Sequence, residues 1–301
     1  MSSRSGPSGA DWRVALEASR NEHITQVRPV SGGDIGDSQR IEFERGEAVF
    51  LKLYPSPDPD TFKETTPGLG RSEAAGLAWL AEAAALRVAQ PIAWDEDWLA
   101  LEWIESAPRT KDYDELLGVG LAELHRATPR EFGHTASNWI GRLPQENGAE
   151  ATWSTFYRER RLRPLLERAR KNGQVTASLD AAFEELFDRL NSLVGPDEAP
   201  ARLHGDLWAG NVLPDEFGKP CLIDPSVYGG HREIDLAMMR LFGGFSERVF
   251  ECYAATHPLA EGSEARISLY QLYPLLVHVC LFGGSYAVQL ERCLVAALGD
   301  A

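Results

Sequence analysis

Leu203-His204-Gly205-Asp206-Leu207-Trp208-Ala209-Gly210-Asn211, followed by Cys221-Leu222-Ile223-Asp224-Pro225, decides how this chain is read. An acid is followed five positions later by an amide, and a second acid closes a short apolar run. That order fits a phosphoryl-transfer site. A loop between two short strands can hold Asp206 against a substrate hydroxyl while Asn211 turns back toward a cation that Asp224 reaches from the next strand. Hard oxygen ligands suit Mg2+, which is usually held by one or two carboxylates plus nucleotide phosphates. Asp, Asn and Gly are also ordinary turn residues, so the reading rests on the three positions together.

Upstream, the first third has the look of a small strand-rich lobe. Segments 24–30, 39–44 and 48–54 carry β-branched and aromatic residues between glycine-containing turns, and further strands are expected over 90–94 and 98–103. The first turn, Ser31-Gly32-Gly33-Asp34-Ile35-Gly36, is a glycine-rich hairpin loop whose amides could approach phosphate oxygens because no Cβ intervenes. It is neither Gly-x-Gly-x-x-Gly nor a Walker loop, and hairpins also use glycine for conformation alone. Lys52 sits inside the apolar run Val49-Phe50-Leu51-Lys52-Leu53, where an ammonium is costly without a partner. Glu73, on the amphipathic segment 71–80, is the expected partner. Lys52 would then contact nucleotide phosphates, with Gly32, Gly33 and Asp34 above it. Residues 54–70, dense in Pro, Asp and Thr, read as a surface loop. Glu102, Trp103 and Ile104, at the end of the last strand, are assigned by order to a hinge that would recognise adenine through backbone groups.

Beyond the hinge the chain reads as helical. Leu116, Leu117, Leu121 and Leu124 share one face of segment 112–126, and segments 153–171 and 178–194 continue the pattern. Apolar helices are also expected over 234–241 and from 264 onward. With 301 residues, the chain can bury a sizeable core as one two-lobed domain or as two domains. The division adopted is a disordered tail over 1–10, a nucleotide-binding lobe over 11–104 and a catalytic and substrate lobe over 105–301. The fold class expected is α+β, with a small antiparallel-sheet lobe and a mainly helical one.

The formal charge is −15, from 45 Asp and Glu against 30 Lys and Arg. An acidic balance disfavours nucleic acid as partner. Any polyanionic ligand must then be met by local cations, helix N-termini or metal. No stretch reaches the roughly 20 apolar residues of a membrane span; the most apolar, 272–282, contains Pro274 and His278. The four cysteines, Cys221, Cys252, Cys280 and Cys293, form no Cys-x-x-Cys pair and read as buried free thiols in a reducing cytosol. A cytoplasmic monomer without membrane or nucleic-acid partners is the expectation.

The residues also carry a specific resemblance. Gly32-Gly33-Asp34-Ile35, Phe50-Leu51-Lys52, Ser72-Glu73-Ala74-Ala75-Gly76-Leu77, Leu121-Ala122-Glu123-Leu124-His125-Arg126 and Asn138-Trp139-Ile140-Gly141 recur along the chain. Most specific are the stretch from His204 to Asn211 and Ile223-Asp224-Pro225-Ser226-Val227-Tyr228-Gly229-Gly230-His231-Arg232-Glu233-Ile234-Asp235. Together they resemble the fructosamine kinase (ketosamine 3-kinase) family, a branch of the protein-kinase-like superfamily near the aminoglycoside and choline kinases. Trp208, two residues after the acid, separates this family from the aminoglycoside kinases. The resemblance implies a protein-kinase-like fold, with ATP and Mg2+ used to phosphorylate the 3-hydroxyl of a ketoamine sugar on an amine or protein lysine. The phosphorylated adduct then breaks down spontaneously, which amounts to protein deglycation. It implies that Asp206 accepts or orients the hydroxyl proton, that Asn211 and Asp224 hold the metal, and that Trp208 stacks on the sugar.

Some features depart from the pattern or leave alternatives open. Asp224 is followed by Pro225 and Ser226, so no protein-kinase-like flipping switch is inferred. Asp34 stands where some plant relatives resemble one another in a redox-active cysteine. His125 and His204 read as hydrogen-bonding scaffold. Arg232, Glu233 and Asp235 fit either substrate contact or buried ion pairs bracing the metal loop. The alternatives are a small-molecule kinase of the aminoglycoside or choline type, which Trp208 disfavours, and a nucleotide-binding pseudokinase that serves as an interaction module. Keeping Lys52, Glu73, Asp206, Asn211 and Asp224 together argues against the latter.

Overall fold

The computed structural model describes residues 11–30, 36–55 and 66–299. Gly32, Gly33 and Asp34, and most of the Pro- and Asp-dense segment, lie outside them. The amino-terminal part contains α1 (Asp11–Arg20), β1 (Ile24–Pro29), β2 (Asp37–Phe43), β3 (Ala48–Leu53), α2 (Leu69–Ala81), β4 (Arg87–Val88), β5 (Pro91–Trp94) and β6 (Trp98–Glu102). Five strands form one antiparallel sheet in the order β1-β2-β3-β6-β5. Side chains alternate across a strand, and β3 uses both faces. Val49 and Leu51 are fully buried against Trp12 and Leu16 of α1, Ile41 and Trp98. Phe50 and Lys52 stand on the opposite face, where they line a cleft. The register places Lys52 between Ser38 and Leu99, in the centre of the sheet.

Helix α1 is an addition to the strand-only reading of this region, and it closes one side of the sheet with Trp12 and Leu16, one turn apart. Helix α2 closes the other with Leu77 and Leu80. The last residues of the expected surface loop are in fact interior: Thr66, Leu69 and Gly70 are buried. A Cβ at Gly70 would overlap the carbonyl oxygens of Trp98 and Asp95, so only glycine lets α2 start this close to the sheet.

The remainder contains α3 (Tyr113–Arg126), β7 (Asn138–Ile140), β8 (Leu143–Gln145), α4 (Trp153–Phe156), a π-helical turn over Tyr157–Leu162, α5 (Arg163–Lys171), α6 (Ala177–Leu193), β9 (Ala201–Leu203), a 3-10 turn over Ala209–Asn211, β10 (Val212–Pro214), β11 (Pro220–Leu222), β12 (Tyr228–Gly230), α7 (Glu233–Phe242), α8 (Glu247–Thr256), α9 (Ile267–Phe282) and α10 (Ser285–Gly299). The expected single helix over 153–171 is interrupted by the π turn, where Arg161 is fully buried. Its guanidinium lies 3.8 Å from the ring centre of Tyr228 and donates to Asn147 Oδ1 at 2.6 Å and Glu146 O at 2.8 Å. No helix is long and apolar enough to cross a membrane among the described residues.

Two contacts tie the parts together around the cleft. Strand β4 pairs in parallel with β11, which carries the apolar run before Asp224. Arg87 of β4 binds Glu102 at 2.8 Å, Asp215 at 3.1 Å and Glu216. A shared apolar cluster runs from Leu77 and Leu99 to Leu121, Leu207 and Leu222. The class is α+β: a small antiparallel-sheet lobe over a mainly helical one.

Candidate active site

A cavity of about 470 Å³ lies between the sheet and the helical part, and Lys52, Glu73, Asp206, Trp208, Asn211 and Asp224 all line it. Lys52 Nζ binds Glu73 Oε1 at 2.8 Å and also contacts Asp224 Oδ1. Glu73 is held in turn by the Tyr54 hydroxyl, which donates to its Oε2. Lys52 and Tyr54 sit two residues apart on β3 and the residue after it, so both reach the same side of the sheet. Burial alone would lower the Lys52 pKa, but the carboxylates of Asp224 and Glu73 outweigh it and hold the ammonium charged. Burial raises the pKa of Glu73, as does the Asp224 carboxylate, against the opposing pull of Lys52.

The turn that carries Asp206 is fixed by backbone geometry. Gly205 has φ +80, and a Cβ there would overlap the Ser226 carbonyl oxygen. Asp235 of α7 is fully buried and accepts the amide N–H of His204 at 2.8 Å and of Gly205 at 2.9 Å. Its Oδ2 also lies 3.2 Å from His125 Nε2, whose other nitrogen meets the Tyr253 hydroxyl at 2.8 Å. His204 Nε2 lies 2.8 Å from Ile223 O, and its Nδ1 accepts the Asp206 N–H at 3.2 Å. These bonds define one tautomer, Nε2–H, and burial lowers the His204 pKa so that the ring stays neutral. Both histidines are scaffold.

Asn211 closes the turn. Its amide nitrogen donates to Asp206 O at 2.8 Å, Asp206 Oδ2 at 3.2 Å and Asp224 O at 3.4 Å, which leaves the amide oxygen for another ligand. Asp224 has φ +53, a left-handed conformation that costs a non-glycine residue on the order of 1–3 kcal/mol. It is over-determined from both sides: Ile223 N–H donates to Asn211 O at 3.1 Å, and Ser226 N–H to His204 O at 2.9 Å.

Among the other expected residues, Glu102, Trp103 and Ile104 do not line the cavity. Glu102 is paired with Arg87 and accepts the Gln90 N–H at 3.1 Å. Trp103 lies under the Arg40 guanidinium at 4.5 Å, and Ile104 packs on the shared core. Phe50, Leu213 and Ile223 supply the apolar lining instead. Arg232 and Glu233 pair away from the cavity, with Glu198 at 2.7 Å and Arg266 at 2.6 Å. Cys221 and Cys252 are buried and all four cysteines are free. Asp235, read from the sequence as either a substrate contact or a brace of the metal loop, braces the turn before Asp206; Tyr54, Asn138 and Ser226 line the cavity and have no role in the sequence reading. Their only signals are the alternation after Lys52 and buried polar positions within apolar runs.

A sequence profile of the family described as fructosamine kinase matches residues 11–299. A protein of Enterococcus faecium assigned as a ketoamine kinase is 35% identical over 270 residues, which cover 89% of this chain and 94% of that protein. The chloroplastic protein-ribulosamine 3-kinase of Arabidopsis thaliana is 32% identical over 278 residues, covering 90% and 82%. A crystal structure from Thermobifida fusca, assigned as a fructosamine-3-kinase, superposes with a TM-score of 0.85 at 40% identity, covering 95% of this chain and 98% of that one.

Proposed function

The chain belongs to the fructosamine kinase family, and from that premise we propose that it transfers the terminal phosphoryl group of ATP to the 3-hydroxyl of a ketosamine, the sugar adduct of an amine or protein lysine. Its reaction is phosphotransfer to an alcohol. The observation that carries the reading is one cavity lined by Lys52 with Glu73, by Asp206 with Asn211, by Asp224 and by the partly exposed Trp208.

Each residue has a role that its position allows. Lys52, kept charged by two carboxylates, holds and neutralises nucleotide phosphate oxygens. Phe50, Leu213 and Ile223 offer the adenine ring an apolar lining. The lobes divide on this reading at residues 104 and 105. Asp206 orients the sugar hydroxyl and takes its proton as the oxygen attacks phosphorus. Transition states of this kind are loose, so positioning contributes more than basicity. Asn211 keeps the Asp206 carboxylate in place through a 3.2 Å bond. Trp208, 38% exposed, offers a ring face to the sugar.

The donor set also fits Mg2+. Among the described residues no group of three or more His, Cys, Asp or Glu could hold a metal ion. The Asn211 amide oxygen and the Asp224 carboxylate supply two hard donors, the number Mg2+ commonly takes beside nucleotide phosphates. When bound, the ion neutralises charge on the phosphate oxygens.

ADP release with Mg-ATP and ribulose-lysine, erythrulose-lysine and fructose-lysine tests the proposal. Turnover on at least one adduct, lost by about 10²-fold or more in Asp206→Asn, is the expected result. No turnover on any adduct while ATP still binds would remove the ketosamine reading and favour another acceptor or a binding role.

A further inference from the structure

Segments that line the cleft are tied to the ends of α7 and α9. Two contacts make the tie. Ala209 abuts the turn after α7, where a Cβ at Gly244 would stand 2.5 Å from the Ala209 Cβ. On the other side Gly141, itself part of the cavity lining, faces α9: a Cβ there would stand 3.0 Å from Leu281 Cδ1. The two points set the ends of α7 and α9 against segments that line the cleft.

Between them stands a continuous group of rings. Phe242, the last residue of α7, lies 4.8 Å from His278, which lies 5.6 Å from Phe282 and 4.9 Å from Tyr286; Phe282 and Tyr286 are 6.2 Å apart. Phe282 is 61% exposed. A single exposed apolar residue needs no explanation. Here, however, several rings share one patch whose two supports both touch cleft-lining segments.

A ketosamine has two ends with different needs. Its sugar must bring the 3-hydroxyl to Asp206, and the amine on C1 carries an arm that has to leave past the sugar. The arm of a glycated lysine is a hydrocarbon stem, and apolar surface removed from water there favours binding. We infer that Phe242, Phe282 and Tyr286 form an outer subsite for the amine-derived arm of the substrate, selecting apolar and aromatic arms over small ones. This rests on the ketosamine reading of the inner site.

The test uses two adducts of the sugar that the wild-type enzyme turns over best, one of methylamine and one of phenethylamine, with wild type, Phe282→Ser and Tyr286→Ser. In the wild type the phenethylamine adduct should show a KM about tenfold lower, the effect of burying one ring edge. Each variant should raise that KM toward the methylamine value. The KM for ATP, the KM for the methylamine adduct and kcat should stay unchanged. Equal KM values for the two adducts in wild type, or a preference that survives in both variants, would overturn the subsite while leaving the kinase reading intact. Loss of turnover on both adducts in the variants would assign the rings to the fold and also overturn it. No turnover on either adduct by the wild type would remove the ketosamine reading and the subsite with it.

Discussion

Asp235→Asn exchanges a fully buried carboxylate for an amide of the same shape, at the point where α7 holds the turn before Asp206. The carboxylate accepts three donors: the His204 and Gly205 amides at 2.8 and 2.9 Å, and His125 Nε2 at 3.2 Å. An asparagine oxygen in the Oδ2 position keeps the His204 and His125 contacts, while its NH2 group faces the Gly205 N–H. One buried backbone donor is then orphaned, at a cost of about 1–3 kcal/mol. The two surviving bonds pass from a charged to a neutral acceptor, which roughly halves each. The sum is about 3 kcal/mol, a substantial part of the 5–15 kcal/mol that typically stabilises a folded protein. The variant should fold, with a lower urea midpoint and an unchanged m-value. Freed from Asp235, the Gly205 peptide no longer fixes Asp206, and a displacement near 1 Å costs about 10²-fold in rate. ADP release should therefore fall by about that factor, while ATP affinity holds. A variant that unfolds within about 0.5 kcal/mol of wild type and turns over at its rate would refute the claim that these bonds hold the turn.

Two further outcomes are expected. Burial, opposed in part by the Glu198 carboxylate and reinforced by Arg266 and Arg232, lowers the His231 pKa from 6.5 to about 4. The unfolded chain therefore binds more protons across that interval, and stability must fall as pH drops through it. The loss between pH 7.5 and pH 5 is about 2 kcal/mol from this residue alone, visible as a lower urea midpoint at pH 5 and reduced in His231→Gln; a midpoint that rises on acidification would contradict the assignment. Among the described residues the cavity is lined by one cation, Lys52, against Glu73, Asp206 and Asp224. ATP titrated calorimetrically in EDTA should bind at least about tenfold more weakly than with Mg2+, and equal affinities would contradict the metal-side roles of Asn211 and Asp224.

How much of this was legible in sequence depends on what fixes each residue. Asp206, Asn211 and Asp224 are close in sequence, and their spacing already implied a shared turn. Lys52 and Glu73 are 21 positions apart, yet each advertised itself: one as a charge in an apolar strand, the other by falling on the next helix. Asp235 was legible only as two alternatives, substrate contact or buried brace, because its partners include backbone amides 30 and 31 residues away, and backbone amides leave no mark on composition. Tyr54 was readable only through strand alternation after Lys52. Helix α1 carries a usable signal, Trp12 and Leu16 one turn apart, that a reading centred on strands does not use. The Pro- and Asp-dense segment was misleading at its far end, since Gly70 is buried not for hydrophobicity but for the absence of a side chain.

The same comparison separates two kinds of support in the site. Asp206, Asn211 and Asp224 are held by hydrogen bonds within the protein and by backbone conformations such as φ +80 at Gly205 and φ +53 at Asp224. Lys52 is held otherwise, by the carboxylates of Glu73 and Asp224, and one of those is also the proposed metal ligand. On the proposed reading a cation at Asp224 would share that carboxylate with the ammonium, and nucleotide phosphates would offer Lys52 a replacement partner. Glu73, anchored by Tyr54, would hold the lysine in either case. The backbone-held half of the site would then position the acceptor, and the charge-held half would meet the nucleotide. An acidic chain can in this way bind a polyanion without a broad basic surface.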